Sequence, residues 1–252
     1  MEHPRPKLDG QPIVEDKRSR VAPMQIDGSS KGGGVTTVSV GESAEYAAQF
    51  ESIYQVAAGD AAKVPWGKER ASPHMVSWLN AEAPGVVRPG SRAIVVGCGL
   101  GDDVVELLSR GYDAIGFDVS PTAVSWARKR FPEYASQFAV ADLFALPGKF
   151  RGRFDLVIEI STLQALDPVM REKAASSVAS LVGPQGHVLA ICRGRGEGQL
   201  LEHVTGPPWP LTCGELTGLM EASGLRLYRP LDEIVEEDAI SNRRLRGVFV
   251  RP

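Results

Sequence analysis

A short apolar run that breaks into alternating glycines limits the possible folds of this chain more than any other feature. Residues 93–96 (Ala-Ile-Val-Val) are followed by residues 97–101 (Gly-Cys-Gly-Leu-Gly) and then by Asp102 and Asp103. This order predicts a buried strand, a tight turn and a helix that begins with two acids. Asp118 ends the next apolar run, 21 residues after the first glycine. A glycine turn followed at this distance by an acid is typical of a nucleoside site on a parallel sheet.

The spacing of the glycines indicates which kind of nucleoside this turn binds. The dinucleotide motif is G-x-G-x-x-G, whose third glycine would fall at Asp102, whereas this chain has G-x-G-x-G. A helix N-terminus that holds a pyrophosphate offers positive potential, and here Asp102 and Asp103 supply negative charge instead. The two acids would repel a phosphate and tolerate a cationic ligand without one. S-adenosylmethionine, an adenosine with a sulfonium and an ammonium, has this chemistry, and the same argument disfavours an NAD-dependent reductase.

The rest of the chain alternates between strand-like and helix-like segments. Apolar runs end at Asp118, Asp142 and Cys192, and capped amphipathic segments lie between them. The pattern predicts an α/β fold: a doubly wound, mostly parallel seven-stranded sheet, with an antiparallel strand near the C-terminal end and helices on both faces. One run over residues 225–231 and another over residues 245–250 supply the last two strands.

The first part of the chain differs in composition from the remainder. Residues 1–38 are polar, bear prolines and contain a glycine-serine tract, which predicts a flexible N-terminal extension. We expect a single domain over residues 39–252. Within it, residues 39–90 form a helical cap and residues 91–252 a Rossmann-like core.

The net charge and the cysteine content limit which partners and which cellular compartment we expect for this chain. A net charge of −3 offers no surface for a polyanion, so we expect no nucleic-acid partner. Three widely spaced cysteines favour a reduced, cytoplasmic chain. No apolar run approaches the roughly 20 residues of a membrane span. We therefore expect a monomer or homodimer that binds a small molecule, and neither a membrane nor a metal.

Four motifs together resemble the class I S-adenosylmethionine-dependent methyltransferases. They are Val-Val-Gly-Cys-Gly-Leu-Gly at 95–101, Gly-Phe-Asp-Val-Ser at 116–120, Ala-Asp-Leu-Phe at 141–144 and Phe-Asp-Leu-Val-Ile-Glu at 154–159. The Pro65-Trp66-Gly67 segment and the Gly206–Pro210 segment look like the thiopurine and thiol methyltransferase branch. The resemblance implies a methyl transfer that leaves S-adenosylhomocysteine as product.

The resemblance also implies which residues hold the cofactor. Asp118 is expected to accept both ribose hydroxyls, Asp142 to accept the adenine amino group, and Trp66 to lie against the methionine part. The predicted cofactor contacts are Trp66, Gly97, Cys98, Gly99, Gly101, Asp102, Asp118, Val119, Asp142, Leu143 and Glu159.

Acceptor contacts are predicted at the same edge of the sheet, and each has a plainer alternative. The candidates are Tyr46, Phe50, Tyr54, Arg193 and Trp209. The three residues at 46, 50 and 54 fit helix packing equally well. Trp209 fits a hydrophobic plug, and Arg193 fits a solvated loop charge.

The segment at residues 159–164, which begins in the last part of an apolar run at residues 154–160, indicates the class of acceptor that the protein methylates. Residues 159–164 (Glu-Ile-Ser-Thr-Leu-Gln) lack the Pro-Pro-Tyr type of motif that marks amide or base N-methylation. We expect in-line transfer to a thiol, another sulfur compound or a heteroaromatic, because a soft nucleophile needs little help from a base. The alternatives are an O- or N-methyltransferase with His203 or Glu159 as base, and a non-catalytic module that only binds the cofactor.

Overall fold

A twisted sheet of eight strands forms the centre of the molecule. The computed structural model describes residues 40–201, 204, 206–235 and 243–252, so the predicted extension at 1–38 lies outside the described residues. The strands are β1 (Arg92–Val96), β2 (Asp113–Asp118), β3 (Phe138–Val140), β4 (Phe154–Ile160), β5 (Val182–Arg193), β6 (Arg226–Leu227), β7 (Asp232–Val235) and β8 (Arg243–Val250).

Seven α-helices are seen in the described part of the chain. They are α1 (Val40–Ala57), α2 (Pro73–Ala81), α3 (Asp102–Ser109), α4 (Pro121–Arg130), α5 (Thr162–Ala165), α6 (Arg171–Leu181) and α7 (Cys213–Ala222). Prolines open α2 and α4, as expected where the first helical residue needs no amide donor. A capping box formed by Thr212 and Glu215 opens α7.

The order of the strands confirms the predicted doubly wound, mostly parallel sheet. The order is β3-β2-β1-β4-β5-β8-β6, with β7 also paired to β8. The strands β1 to β5 are parallel to one another, and β8 is antiparallel to β5. In the described part of the chain the sheet has eight strands where the sequence predicts seven: the run at residues 225–231 forms only the short β6, and β7 is an additional strand in the segment that the sequence predicts as a connection. The order reverses between β1 and β4, and ligands of such sheets bind at the carboxyl ends of the strands beside this point.

Two apolar layers cover the faces of the sheet. On one face Val104 of α3 and Val124 of α4 are completely buried, together with Trp78 of α2. On the other face Val178 of α6 and Leu216 of α7 are completely buried. Burial on both faces explains why the central strands are almost continuously apolar.

A third, smaller cluster attaches α1 to the carboxyl edge of the sheet. Tyr54 and Val64 pack with Leu100 of the glycine turn and with Ala123 of α4. The segment before β1 is thereby held over the end of β1 and the beginning of α4. Among the described residues no helix is long and apolar enough to cross a membrane.

Candidate cofactor and acceptor site

The turn after β1 depends on its glycines. Gly97, Gly99 and Gly101 have φ angles of +60°, +51° and +92°, a region that side chains disfavour. A Cβ atom at Gly101 would come within 2.8 Å of the Phe138 ring, and one at Gly97 within 2.9 Å of the Thr162 hydroxyl. The turn therefore lies tightly between β3 and the segment after β4, at the predicted place.

Asp118 lies at the end of β2, directly beside this turn. Its Oδ2 accepts from the Gly99 amide and its Oδ1 from the Ser120 amide, both at 2.9 Å. Burial raises the pKa of this carboxyl, and the amides of Ser120, Gly99 and Val119 oppose the rise. Each carboxylate oxygen can accept a second donor. A buried acceptor next to a glycine turn fits the hydroxyls of a nucleoside, so the residues present are compatible with an adenosine cofactor.

Three further predicted contacts, Cys98, Asp142 and Leu143, lie at the same edge. The Cys98 amide donates to the Phe117 carbonyl at 2.9 Å, and the Cys98 side chain is buried. Asp142 follows β3, and its Oδ1 accepts from the Phe144 amide at 2.8 Å. Leu143 beside it is buried, 7% exposed. The pairing of Asp118 with Val140 in the β2–β3 register brings these residues to one edge.

The two acids at the start of α3 have protein partners. Both oxygens of Asp102 accept from the Arg130 guanidinium, at 2.7 and 2.8 Å. Asp103 accepts from the Ser72 amide at 2.7 Å, and burial raises its pKa to about 6. Arg130 thereby neutralises the charge of Asp102, and the contact of Asp102 with a cofactor stays a prediction. The sequence gives no signal for this pair, which joins two different helices.

Four aromatic residues, Tyr46, Phe50, Tyr54 and Trp66, form a continuous series of ring contacts beside the glycine turn. The Trp66 indole donates to the Tyr54 hydroxyl at 2.7 Å. A Cβ atom at Gly99 would lie 3.0 Å from that hydroxyl, so Tyr54 lies on the turn. The rings of Phe50 and Trp66 are 5.9 Å apart, and those of Tyr46 and Phe50 are 6.4 Å apart. The predicted candidates on α1 and Trp66 thus form one continuous group.

Glu51 attaches α1 to α4, a contact that the sequence analysis misses. Its carboxylate accepts from the Ser120 hydroxyl at 2.6 Å and from the Thr122 amide at 3.1 Å. The Thr122 hydroxyl is a third donor. Although burial opposes ionisation, these hydrogen bonds lower the pKa of Glu51. The contact lies two residues beyond Asp118, beside the candidate cofactor edge.

Glu159, a predicted base and cofactor contact, is completely buried at the end of β4. Its Oε1 accepts from the Thr162 and Leu163 amides at 2.7 and 3.0 Å. Its Oε2 has no hydrogen-bond partner among the described residues. Burial raises its pKa to about 7. In this arrangement the side chain holds the turn between β4 and α5.

Trp209 and Arg193 are joined to the segment after β4. The Gln164 side chain accepts from the Arg193 amide, and the Gln164 carbonyl accepts from the Trp209 amide at 2.8 Å. The Arg171 guanidinium donates to the Trp209 carbonyl at 2.6 Å and to the Leu163 carbonyl at 3.2 Å. The sequence analysis does not single out Arg171 or Gln164. The predicted base His203 lies outside the described residues.

A family model and two curated relatives match most of this chain. The model of thiopurine S-methyltransferase (TPMT) matches residues 59–246. Thiocyanate methyltransferase 1 from Arabidopsis thaliana is 31% identical over 168 residues, covering 64% of this chain and 68% of that protein. A probable thiol methyltransferase 2 from the same plant is 27% identical over 178 residues, covering 69% and 74%.

Solved methyltransferase structures share the fold. One is the 1,6-didemethyltoxoflavin-N1-methyltransferase of Burkholderia thailandensis with bound 1,6-didemethyltoxoflavin and S-adenosylhomocysteine. It superposes with a TM-score of 0.65 at 17% identity and covers 87% of this chain and 93% of that one. At this identity the likeness concerns the fold.

Proposed function

Because the chain belongs to the thiopurine S-methyltransferase family, we propose that it methylates the sulfur atom of a small molecule. Membership of this family makes the protein an S-adenosylmethionine-dependent methyltransferase. The proposed acceptor is a thiol, a thiolate anion or a sulfur-bearing heteroaromatic. Relatives named for thiocyanate and thiol acceptors support a sulfur acceptor. The solved neighbour with a bound heteroaromatic is compatible with a flat acceptor on this fold.

The state of Glu159 is the observation that carries this proposal. The carboxyl group is completely buried: two backbone amides occupy Oε1, and Oε2, which has no partner among the described residues, is closed off from the surface, so the group is poorly placed to take a proton from an acceptor. A phenol or a ring amine needs such a base, whereas a thiol ionises close to neutral pH and thiocyanate is already an anion. A sulfur acceptor therefore suits a site whose buried acid is engaged in holding a turn.

In this proposal the protein binds the cofactor and the acceptor, aligns the reacting atoms and excludes water from them. S-adenosylmethionine supplies an electrophilic methyl group on a sulfonium. Asp118 would accept the ribose hydroxyls, and Asp142 with Leu143 would hold the adenine. The Trp66 ring would lie near the sulfonium, where an indole face attracts a cation. Phe50 would shield the reacting atoms from water.

We also propose that residues 39–90 act as a cap on a core formed by residues 91–252. The contacts of Tyr54 with Gly99 and of Glu51 with Ser120 support this division. The cap would close one side of the acceptor pocket. Trp209 would close the other side, because its backbone is fixed to the segment after β4.

The test compares sulfur acceptors with their oxygen counterparts. Purified protein is incubated with S-adenosylmethionine and thiophenol, phenol or thiocyanate, and the S-adenosylhomocysteine formed is measured. We expect thiophenol and thiocyanate to be methylated, and phenol at least about a hundredfold more slowly than thiophenol, the size of a missing base. Methylation of phenol in preference to thiophenol would overturn the proposal. So would a loss of about a hundredfold or more in thiophenol turnover for Glu159→Gln, since it would identify a base.

A further inference from the structure

Arg171, at the beginning of α6, is a buried cation with an unusual set of partners. The residue is 4% exposed, and burial lowers the pKa of its guanidinium. Its hydrogen bonds go to two backbone carbonyls. Removing a charge from water is costly, and an apolar side chain of similar size would pack at this position at a lower cost. The guanidinium therefore has a role that apolar packing does not supply.

The two carbonyls belong to two different segments, one after β4 and one after β5, at the carboxyl edge of the sheet. Leu163 lies in the short helix α5, directly after β4. Trp209 lies between β5 and α7, in residues 206–212, which we call the Trp209 loop. Arg171 joins these segments with one rigid, planar group, with donor–acceptor distances of 3.2 and 2.6 Å.

Gln164 also joins the segment after β4 to the Trp209 loop, through the backbone amide of Trp209 where Arg171 uses its carbonyl. Its carbonyl accepts from the Trp209 amide at 2.8 Å, and its side chain accepts from the Arg193 amide. Both backbone polar groups of Trp209 are therefore bonded to residues that follow β4. The Trp209 loop continues with Leu211, whose amide donates to the Arg193 carbonyl at 3.0 Å and whose carbonyl accepts from the Arg195 amide at 2.8 Å.

The position of the Trp209 backbone thus depends on the segment after β4, which lies against the glycine turn. Thr162 is the link, because its hydroxyl lies 2.9 Å from where a Cβ atom at Gly97 would be. Glu159 fixes the same segment through the Thr162 and Leu163 amides. A change in the Arg171 contacts would move Trp209 relative to the cofactor edge without touching that edge itself.

We propose that Arg171 is a positioning residue for methyl transfer: it sets the separation between the turn after β4 and Trp209, and through Trp209 it aligns the acceptor. The proposal rests on the proposed function, in which Trp209 closes the acceptor pocket. An acceptor held about 1 Å out of line loses rate steeply, so a residue that touches no reactant affects turnover.

The experiment compares Arg171→Met and Arg171→Lys with Arg251→Met. Arg251 is a matched control, because its guanidinium also donates to two carbonyls, those of Val182 and Ala179, but at the amino end of β5. Three quantities are measured: the KM and kcat for thiophenol, the Kd for S-adenosylhomocysteine by calorimetry, and hydrogen exchange in a peptide that spans the Trp209 loop.

For Arg171→Met we expect a fall of about tenfold in the kcat for thiophenol, because the acceptor is bound out of line, and a smaller change in its KM. The Trp209 loop should exchange faster, and the Kd for S-adenosylhomocysteine should stay within about twofold of the wild-type value. Arg171→Lys should recover part of the loss, because a lysine donates to one of the two carbonyls. Arg251→Met should lower the melting temperature without changing the kcat or the KM for thiophenol.

Two results would overturn the proposal. One is unchanged exchange of the Trp209 loop in Arg171→Met. The other is a loss of S-adenosylhomocysteine affinity as large as the loss in thiophenol kcat, which would indicate general damage to the site. If Arg171→Met does not fold, Arg171→Lys and Gln164→Leu take its place in the same comparison. A wild-type chain that methylates no sulfur acceptor refutes the proposed acceptor class, while the exchange measurement still decides whether Arg171 fixes the loop.

Discussion

At the scale of single residues, Glu159 shows how burial changes what a carboxyl group does. Its pKa rises from the usual 4.5 to about 7 because burial disfavours the charged form, although two backbone amides oppose the rise. Between pH 4.5 and 7 the folded chain therefore holds a proton that the unfolded chain has released. The contribution of Glu159 to the free energy of unfolding is fully present below pH 4.5 and is lost as the pH rises to about 7. The difference amounts to about 3 kcal/mol.

Glu159→Gln should remove this pH dependence. The amide oxygen of glutamine can still accept from Thr162 and Leu163, and glutamine carries no charge to bury. We expect the variant to gain unfolding free energy relative to wild type at pH 8, by about 1–3 kcal/mol, and much less at pH 5. Urea denaturation at the two pH values measures both differences. Glu133→Gln, a substitution of an exposed glutamate, serves as the control. An equal effect of Glu159→Gln at pH 5 and pH 8 would show that the carboxyl does not titrate in this range.

At the scale of elements, one acidic side chain adds polar contacts to the apolar docking of α1 on α4. Glu51 accepts from the Ser120 hydroxyl, the Thr122 amide and the Thr122 hydroxyl, and this places a turn of α1 over the beginning of α4. Tyr54, one turn further along α1, then reaches the glycine turn. The lowered pKa of Glu51 means that its contribution is present at neutral pH and is lost only as the pH falls through that lowered pKa.

Glu51→Ala should loosen α1 and weaken cofactor binding together. Removing the carboxylate leaves the Ser120 hydroxyl and the Thr122 donors without this acceptor, so we expect about a tenfold rise in the Kd for S-adenosylhomocysteine. Isothermal titration calorimetry measures this rise. Glu45→Ala, on the exposed side of the same helix, is the matched control and should leave the Kd unchanged. If Glu51→Ala binds S-adenosylhomocysteine as tightly as wild type, the docking of α1 does not support the cofactor edge.

The elements differ in how far the sequence predicts them. The glycine turn and Asp118 are predictable, because strand, turn and helix are local patterns with a fixed spacing. Arg171 carries a weak signal, since it lies on the same helical face as the buried Ala174 and Val178. The pairing of Asp102 with Arg130 has no local signal, because it depends on how α3 and α4 pack. Contacts across the site depend on such packing, and the sequence therefore predicts the cofactor edge better than the acceptor pocket.

At the scale of the whole molecule, the proposed cofactor site lies where three separate parts of the chain meet. Tyr54 and Trp66 come from the segment before β1, Gly99 and Asp118 from the first half of the sheet, and Glu159 from the second half. A ligand that binds only the folded state stabilises it by about 2.7 kcal/mol at one hundred times its Kd. A cofactor at this meeting point should therefore stabilise the cap and the core together, more than it stabilises either edge strand.

Hydrogen exchange with and without S-adenosylhomocysteine tests this coupling. Saturating ligand should slow exchange in residues 40–66 and in the glycine turn, because both lie against Asp118 or its neighbours, and should leave β6 unchanged. Asp118→Ala should abolish the slowing while the far-UV circular dichroism stays the same. Asp155→Ala is the matched control, since Asp155 also accepts a backbone amide, that of Arg92 at 2.8 Å, but at the amino edge of the sheet. Slower exchange in the turn without any change in residues 40–66 would mean that the cap closes independently of the cofactor, and Tyr54 and Trp66 would then have to be assigned to packing alone.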